Sequence, residues 1–269
     1  MKVLAFPQGM IAEKSRHQGG TQRRSESWFY IGFALFMILL SIIGFGPSII
    51  DQAHRNAPPT VLVMLHGLAV VLLLLLFLTQ VILVATGRTV VHQRVGKVGL
   101  VVVPLMIVVS YLALIDFGRR GHDLSGDVIR ALSRTGSRPF DSAGLVFPLG
   151  ELLAFGAVFT AGLLYRRRPQ IHKRLMTLAM VPILTEPILH FVGQLAGHWP
   201  RLQGMGPAFS IPGSLLLLTV PAVFDLLSKR RVHPVSLWVP VLLFTWQLAL
   251  SFLILPSDVW RRFAAWLVS

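Results

Sequence analysis

The sequence contains no cysteine, which excludes disulfides, thiolate metal sites and iron–sulfur clusters. Charge is also scarce, because Asp, Glu, Lys and Arg make up 13% of the 269 residues. A soluble domain averages about 25%. Hydrophobic residues make up 54% of the chain, which is more apolar surface than a fold surrounded by water can bury. These features predict an integral membrane protein.

Acidic residues are the scarcer of the two charge types: 11 Asp and Glu stand against 25 Lys and Arg, for a net charge of +14. In a soluble protein this excess would indicate nucleic-acid binding. Here the cations lie mostly between apolar runs, where they set topology and contact lipid headgroups. We therefore expect membrane lipids as partners and no nucleic acid.

Seven apolar stretches approach the roughly 20 residues that a spanning helix needs. They predict an all-α fold, a polytopic bundle of about seven transmembrane helices. The stretches are 29–50, 61–84, 98–117, 143–165, 174–195, 209–227 and 235–255. The chain then divides into a basic cytoplasmic tail (1–28), a transmembrane domain (29–256) and an interfacial C-terminal tail (257–269) with Trp260, Phe263 and Trp266.

The distribution of Lys and Arg predicts the orientation. With the N-terminal tail on the cytoplasmic side, 16 of the 25 cations lie on that side. The positive-inside rule therefore places the N-terminus in the cytoplasm and the C-terminus outside.

The three inner turns share one pattern, a cation followed by three residues and a histidine. It occurs at Arg88–His92, at Arg168–His172 and at Lys229–His233. Each turn joins a span running inward to one running outward, so the pattern favours three hairpins packed as a parallel repeat. The alternative is that topology alone makes the turns basic, and the role of the three histidines stays open.

Ionisable side chains inside the apolar runs are the candidate functional residues. Two of the four glutamates, Glu151 and Glu186, lie inside such runs, as do His66 and His190. At 1.5 Å per residue, all four lie roughly 8 to 14 Å below the outer ends of their spans. Ionisable groups at this depth usually face a protein interior or a cavity. We expect them to share one layer in the outer half of the bilayer.

Three kinds of site fit these residue types. His66, Glu151, Glu186 and His190 could together hold a divalent metal ion. His66 and His190 alone could be the axial pair of a haem. The two carboxyl groups could instead relay protons. No spaced motif selects among them, since the sequence lacks His-Glu-x-x-His.

The first functional hypothesis is a haem- or metal-binding membrane protein that reacts with a lipid-soluble redox partner. The alternative is a transporter or structural membrane protein in which the same Glu and His residues line a proton or ion path. Neither hypothesis names a substrate or decides whether the protein is an enzyme.

Two segments resemble a class of uncharacterised bacterial multi-span proteins. The first runs from His66-Gly67 to Gly87-Arg88 and His92-Gln-Arg94-Val-Gly96, and the second is the Arg-Arg-Pro-x-x-His-Lys-Arg-Leu-Met of 167–176. This resemblance implies a bacterial inner-membrane location and no assigned activity. A fainter likeness to cytochromes of the b561 kind implies histidine pairs at two depths. His172 and His190 lie about 27 Å apart along a helix, which is wide for such pairs.

Overall fold

The chain is helical throughout the part that the structure describes. A computed structural model gives residues 8–50, 58–120, 142–198 and 206–269, and no strand occurs in these ranges. The all-α prediction is therefore confirmed. The helices in chain order are α1 (Gln8–Ile50), α2 (Val61–Ala85), α3 (Thr89–Arg120), α4 (Val146–Leu164), α5 (Pro169–Ala179), α6 (Thr185–His198), α7 (Gly206–Lys229), α8 (Pro234–Ala249) and α9 (Asp258–Val268). Two 3-10 turns (Ser142–Leu145 and Pro182–Leu184) and a π-helical stretch (Leu250–Ile254) join some of them.

Six helical stretches of the described chain are long and apolar enough to cross a membrane. They are Ser25–Pro47, Val61–Ala85, Thr89–Arg120, Ser142–Leu164, Pro169–Val192 and Pro234–Ile254. The chain is thus a multi-pass helical membrane protein. The remaining predicted span, 209–227, lies within α7, and a total of seven spans stays a prediction.

The spans pack mainly on their neighbours in the chain: α2 on α3, α4 on α5, and α6 on α7, while α1 lies against both α2 and α6. The core between them includes the fully buried side chains of Met37, Met106, Phe155 and Leu178. Large apolar side chains also cover the outside of the bundle; Leu242, for example, is 66% exposed. An apolar exterior is expected where lipid replaces water.

The first two basic turns have the same local geometry. In each, the histidine amide donates to the carbonyl of the preceding cation, from His92 to Arg88 and from His172 to Arg168, both at 2.9 Å. The third turn differs, because His233 is the N-cap of α8 and its ring accepts from the backbone of that helix. Two of the three predicted hairpins therefore start their second helix alike. The full parallel repeat stays a prediction.

The N-terminal segment continues into the first span as one helix, whereas the C-terminal segment forms a separate helix. Helix α1 begins at Gln8, so most of the predicted 1–28 tail is helical backbone continuous with the first span. The C-terminal segment forms α9, which Ser257 caps by accepting from the amide of Trp260. The Trp260 indole donates to the Ala143 carbonyl at 2.8 Å. One face of α9 is thereby fixed to the start of the fourth span.

Candidate functional site

The fifth predicted span is broken in the middle of the bundle. Helix α5 stops at Ala179, the chain makes the 3-10 turn Pro182–Leu184, and α6 then begins at Thr185. Pro182 and Pro187 explain the break, since proline cannot donate in a helix interior and is tolerated in the first turn. The break is covered by protein. Non-helical backbone at membrane depth is stable only where protein or a water-filled cavity surrounds it.

Glu151 of α4 lies beside this break. Its side chain is 7% exposed, and its carboxylate accepts a hydrogen bond of 3.3 Å from the Gln247 amide of α8. One residue earlier, the Gly150 carbonyl accepts from the Trp246 indole at 3.0 Å. These successive contacts fix α4 against α8 and hold the Glu151 carboxyl group inside the bundle.

The first turn of α6 completes the surroundings of Glu151. The Thr185 hydroxyl lies beside the carboxyl group without reaching hydrogen-bonding geometry. The next residue, Glu186, is near enough for its charge to act on Glu151. Two carboxyl groups thus lie near the break and within range of each other's charge. A helix N-terminus favours negative charge in its first turn, which suits Glu186.

A small cavity of about 20 Å³ lies between the break and α8. Its polar lining comes from Thr185, Ser214, Trp246 and Gln247. Thr185 Oγ1 and Gln247 Oε1 are buried and have no hydrogen-bond partner among the described residues. A space of this size accommodates one water molecule when polar groups line it. The break, the carboxyl groups and this cavity together form the candidate site.

The structure brings only part of the predicted four-residue site together. Glu151 and Glu186 lie near enough for their charges to interact. The His66 ring instead pairs α2 with α3 through a bond of 2.8 Å from Nδ1 to Ser110 Oγ. The His190 ring packs on Phe45 of α1, with centroids 4.8 Å apart.

A shared depth alone does not bring the four predicted residues together. Among the described residues, no three His, Asp or Glu side chains are arranged as a metal-binding group. His66 and His190 have other partners, so the metal site at His66, Glu151, Glu186 and His190 stays a prediction without structural support. The haem hypothesis for His66 and His190 stays a prediction without structural support.

The structure contains a buried ion network at the opposite end of the broken span, which the sequence did not predict. We call this end, which carries turns 85–88, 165–168 and 230–233, the basic end. Arg174 of α5 and Asp225 of α7 are each 1% exposed and pair through two guanidinium nitrogens, with Nε at 3.0 Å. The Ser236 hydroxyl donates to the same carboxylate at 2.7 Å, and Gln170 accepts from Arg174 through its backbone and side chain.

A second carboxylate extends this network to α1. Glu26 forms ion pairs with both Lys173 and Lys229. The Lys173 ammonium also lies 5.5 Å from the centre of the Tyr30 ring. Asp225 and Lys229, four residues apart on α7, form a further ion pair at 4.0 Å, and each also has a closer ionic partner. The network therefore joins α1, α5, α7 and α8.

The third histidine of the basic end, His233, caps α8 beside this network. The His233 amide donates to Asp225 at 3.4 Å, and its ring Nδ1 accepts from the Val235 amide. Burial, reinforced by the nearby Arg174 cation, lowers the pKa of His233 below its ordinary value. A neutral ring is the form that can accept the capping bond, so the electrostatics and the geometry agree.

A comparison of the chain with protein-family models, curated proteins and solved structures found no match in any of the three. The resemblance to uncharacterised bacterial membrane proteins and to b561-type cytochromes therefore stays a prediction. So do the bacterial inner membrane and the cytoplasmic N-terminus. The functional argument rests on the geometry of the site.

Proposed function

We propose that the protein is a membrane transporter that moves a proton, with Glu151 as the group that binds and releases it. The break in the fifth span beside this buried carboxyl group carries the proposal. In many transporters, discontinuous helices supply the groups that bind coupling ions near the middle of the bilayer.

The surroundings of Glu151 favour a proton as its partner. Among the described residues, the groups that act on Glu151 include no cation. They are Gln247, Thr185 and Glu186. A carboxylate left charged without a cation in an apolar layer costs at least about 2.5 kcal/mol on insertion scales. A proton removes this cost. Because the proton can leave again, the same group supports both binding and release.

The lining of the cavity offers the next step of a proton path. Thr185 and Gln247 both line the cavity, and Gln247 also bonds Glu151. A hydroxyl group can accept one proton and donate another. The second carboxyl group belongs to Glu186, which follows Thr185 in the first turn of α6. These groups support a route from α8 through Glu151 to the N-terminus of α6.

The test measures proton movement in vesicles. The purified full chain is placed in liposomes containing a pH-sensitive dye, and a potassium gradient with valinomycin provides the voltage. We expect the wild-type protein to change the internal pH. The variant Glu151→Gln, which keeps shape and hydrogen bonding, should return the rate to that of protein-free vesicles.

A matched control removes a carboxylate elsewhere. Asp258→Asn makes the same chemical change on exposed Asp258 at the start of α9 and should leave the rate unchanged. Wild-type rates in a correctly folded Glu151→Gln protein would refute the role of Glu151. An inactive wild-type protein would contradict the proposal as a whole.

A further inference from the structure

We propose that the first two turns of the basic end bind the phosphate group of an anionic phospholipid between His92 and His172. The two rings lie at the same position of α3 and α5, and their centroids are 6.4 Å apart at an interplanar angle of 78°. Each histidine follows an exposed arginine, Arg88 or Arg168, by four residues. This proposal is independent of the proton path, which lies at the other end of α5.

A hydrogen bond of His172 determines which ring nitrogen remains available to a ligand. Nδ1 lies 2.8 Å from the carbonyl oxygen of Gly162. A carbonyl oxygen only accepts, so Nδ1 carries the proton. The neutral ring therefore presents Nε2 as an acceptor, and it becomes a donor when that nitrogen takes up a proton.

The partner of His92 is Gln80, and it places the ring proton on the other nitrogen. The Gly96 amide can only donate, and it lies 3.0 Å from the side-chain oxygen of Gln80 when that amide is oriented to satisfy its neighbours. The Gln80 nitrogen then faces His92 and donates both to its carbonyl, at 3.0 Å, and to ring Nδ1. In the neutral ring the proton is consequently on Nε2, which presents a donor.

The two free edges are complementary to a phosphate group. His92 Nε2 donates to one phosphate oxygen, while His172 Nε2 accepts from a hydroxyl group of the headgroup or donates to a second phosphate oxygen after taking a proton. Each edge is prepared by a bond on the other side of its ring, an arrangement that orients imidazoles in functional sites.

The charge around this pair favours an anion over a cation. Segments 85–97 and 164–173 contain no acidic residue. Six of their cations are exposed: Arg88, Arg94, Lys97, Arg166, Arg167 and Arg168. A divalent cation would be repelled here, whereas arginine matches phosphate geometry well.

Position along the spans selects a lipid as the source of the phosphate. The turns follow the ends of α2 and α4, which are apolar up to Ala85 and Leu164. The headgroup layer begins where the apolar part of a span ends, and each cation near an anionic surface contributes about 1 kcal/mol. We therefore assign the site to an anionic glycerophospholipid whose headgroup has no positive charge of its own.

The experiment measures lipid binding by the purified full chain in detergent. Phosphatidylglycerol and phosphatidylcholine are added separately, and bound lipid is counted by native mass spectrometry alongside the melting temperature. We expect phosphatidylglycerol to bind and to raise the melting temperature, while phosphatidylcholine does neither. Because this comparison uses the unaltered protein, equal binding of both lipids overturns the proposal even if every variant fails to fold.

Two double variants locate the site. Arg88→Gln with Arg168→Gln should weaken phosphatidylglycerol binding about 30-fold. His92→Gln with His172→Gln should abolish the preference for this lipid. The control Arg261→Gln with Arg262→Gln removes the same charge from exposed positions of α9 and should bind normally.

Three further outcomes would overturn the assignment. Unchanged binding in both test variants would place the lipid elsewhere. An equal loss in the α9 control would reduce the effect to net charge. Inorganic phosphate that protects the protein as well as the lipid does would indicate a soluble phosphate compound.

Discussion

Replacing Asp225 with asparagine takes one negative charge out of the basic end and leaves the buried Arg174 guanidinium without its counter-charge. The native carboxylate accepts from Arg174, from the Ser236 hydroxyl at 2.7 Å and from the His233 amide at 3.4 Å. Asparagine keeps the shape but turns an amide N–H toward a group that only donates. Removing one partner of a buried pair costs about 3–5 kcal/mol, so we expect Asp225→Asn to lower the free energy of unfolding by that amount.

A graded series makes this expectation quantitative. Ser236→Ala removes two hydrogen bonds to charged groups, one donated to Asp225 and one accepted from Arg174, and should cost at least about 1.5–3 kcal/mol. Arg174→Met combined with Asp225→Asn removes both charges, so its cost should fall well below the sum of the two single variants. The free energy of unfolding is measured by titrating SDS into mixed micelles and following helix content. A loss of less than about 1 kcal/mol for Asp225→Asn, or strict additivity in the double variant, would refute a strongly coupled buried pair.

Two contacts elsewhere give predictions with matched controls. A β-carbon at Gly44 would overlap the backbone of Pro187, so Gly44→Val should separate α1 from α6 and lower the melting temperature, while Gly46→Val, where a β-carbon has room, should not. Trp260→Phe removes the indole hydrogen bond that fixes α9 and should cost about 1 kcal/mol in the same SDS titration. Trp266→Phe, on a side chain 68% exposed, should be neutral; equal losses in either matched pair would contradict the contact it tests.

The apolar runs predicted the helices because length and hydropathy are enough where lipid is the solvent. They did not predict the break in the fifth span. Pro182 and Pro187 lie in a run that remains apolar, and proline there can kink a helix or interrupt it. Neighbouring helices decide between these outcomes by satisfying the freed backbone groups. A hydropathy profile contains no information about those neighbours.

The candidate site was predictable in depth but not in direction around the helix. Glu151 and Glu186 share a depth and lie near enough in the structure for their charges to interact. His66 and His190 share that depth too, yet one bonds Ser110 and the other packs on Phe45. Depth follows from residue number along a span. The direction of a side chain toward a given partner depends on how the helices are arranged around one another.

The burial of Arg174 could not be predicted from the sequence for a different reason. It follows a run of exposed cations in a basic turn, so the sequence offered no reason to treat it separately. The start of α5 at Pro169 decides its place, since residue 174 then lies on the face that also buries Leu175 and Leu178. One signal was available: Asp225 is an isolated acidic residue near the end of an apolar run. Such a residue at a span end needs a cationic partner.

Helix α5 connects the buried ion network at the basic end with the break beside Glu151. Arg174 fixes it to α7 and α8 at the basic end, and its last residue, Ala179, leads directly into the break beside Glu151. Helix α6 begins on the other side of that break and packs against α1 and α7. At the break, shorter bonds of the 3-10 type, from the Val181 amide to Leu178 and from the Leu184 amide to Val181, replace the regular bonding of the two helices. A proton on Glu151 would change the charge facing the first turn of α6, so the group to which we assign proton binding lies where α5 and α6 meet.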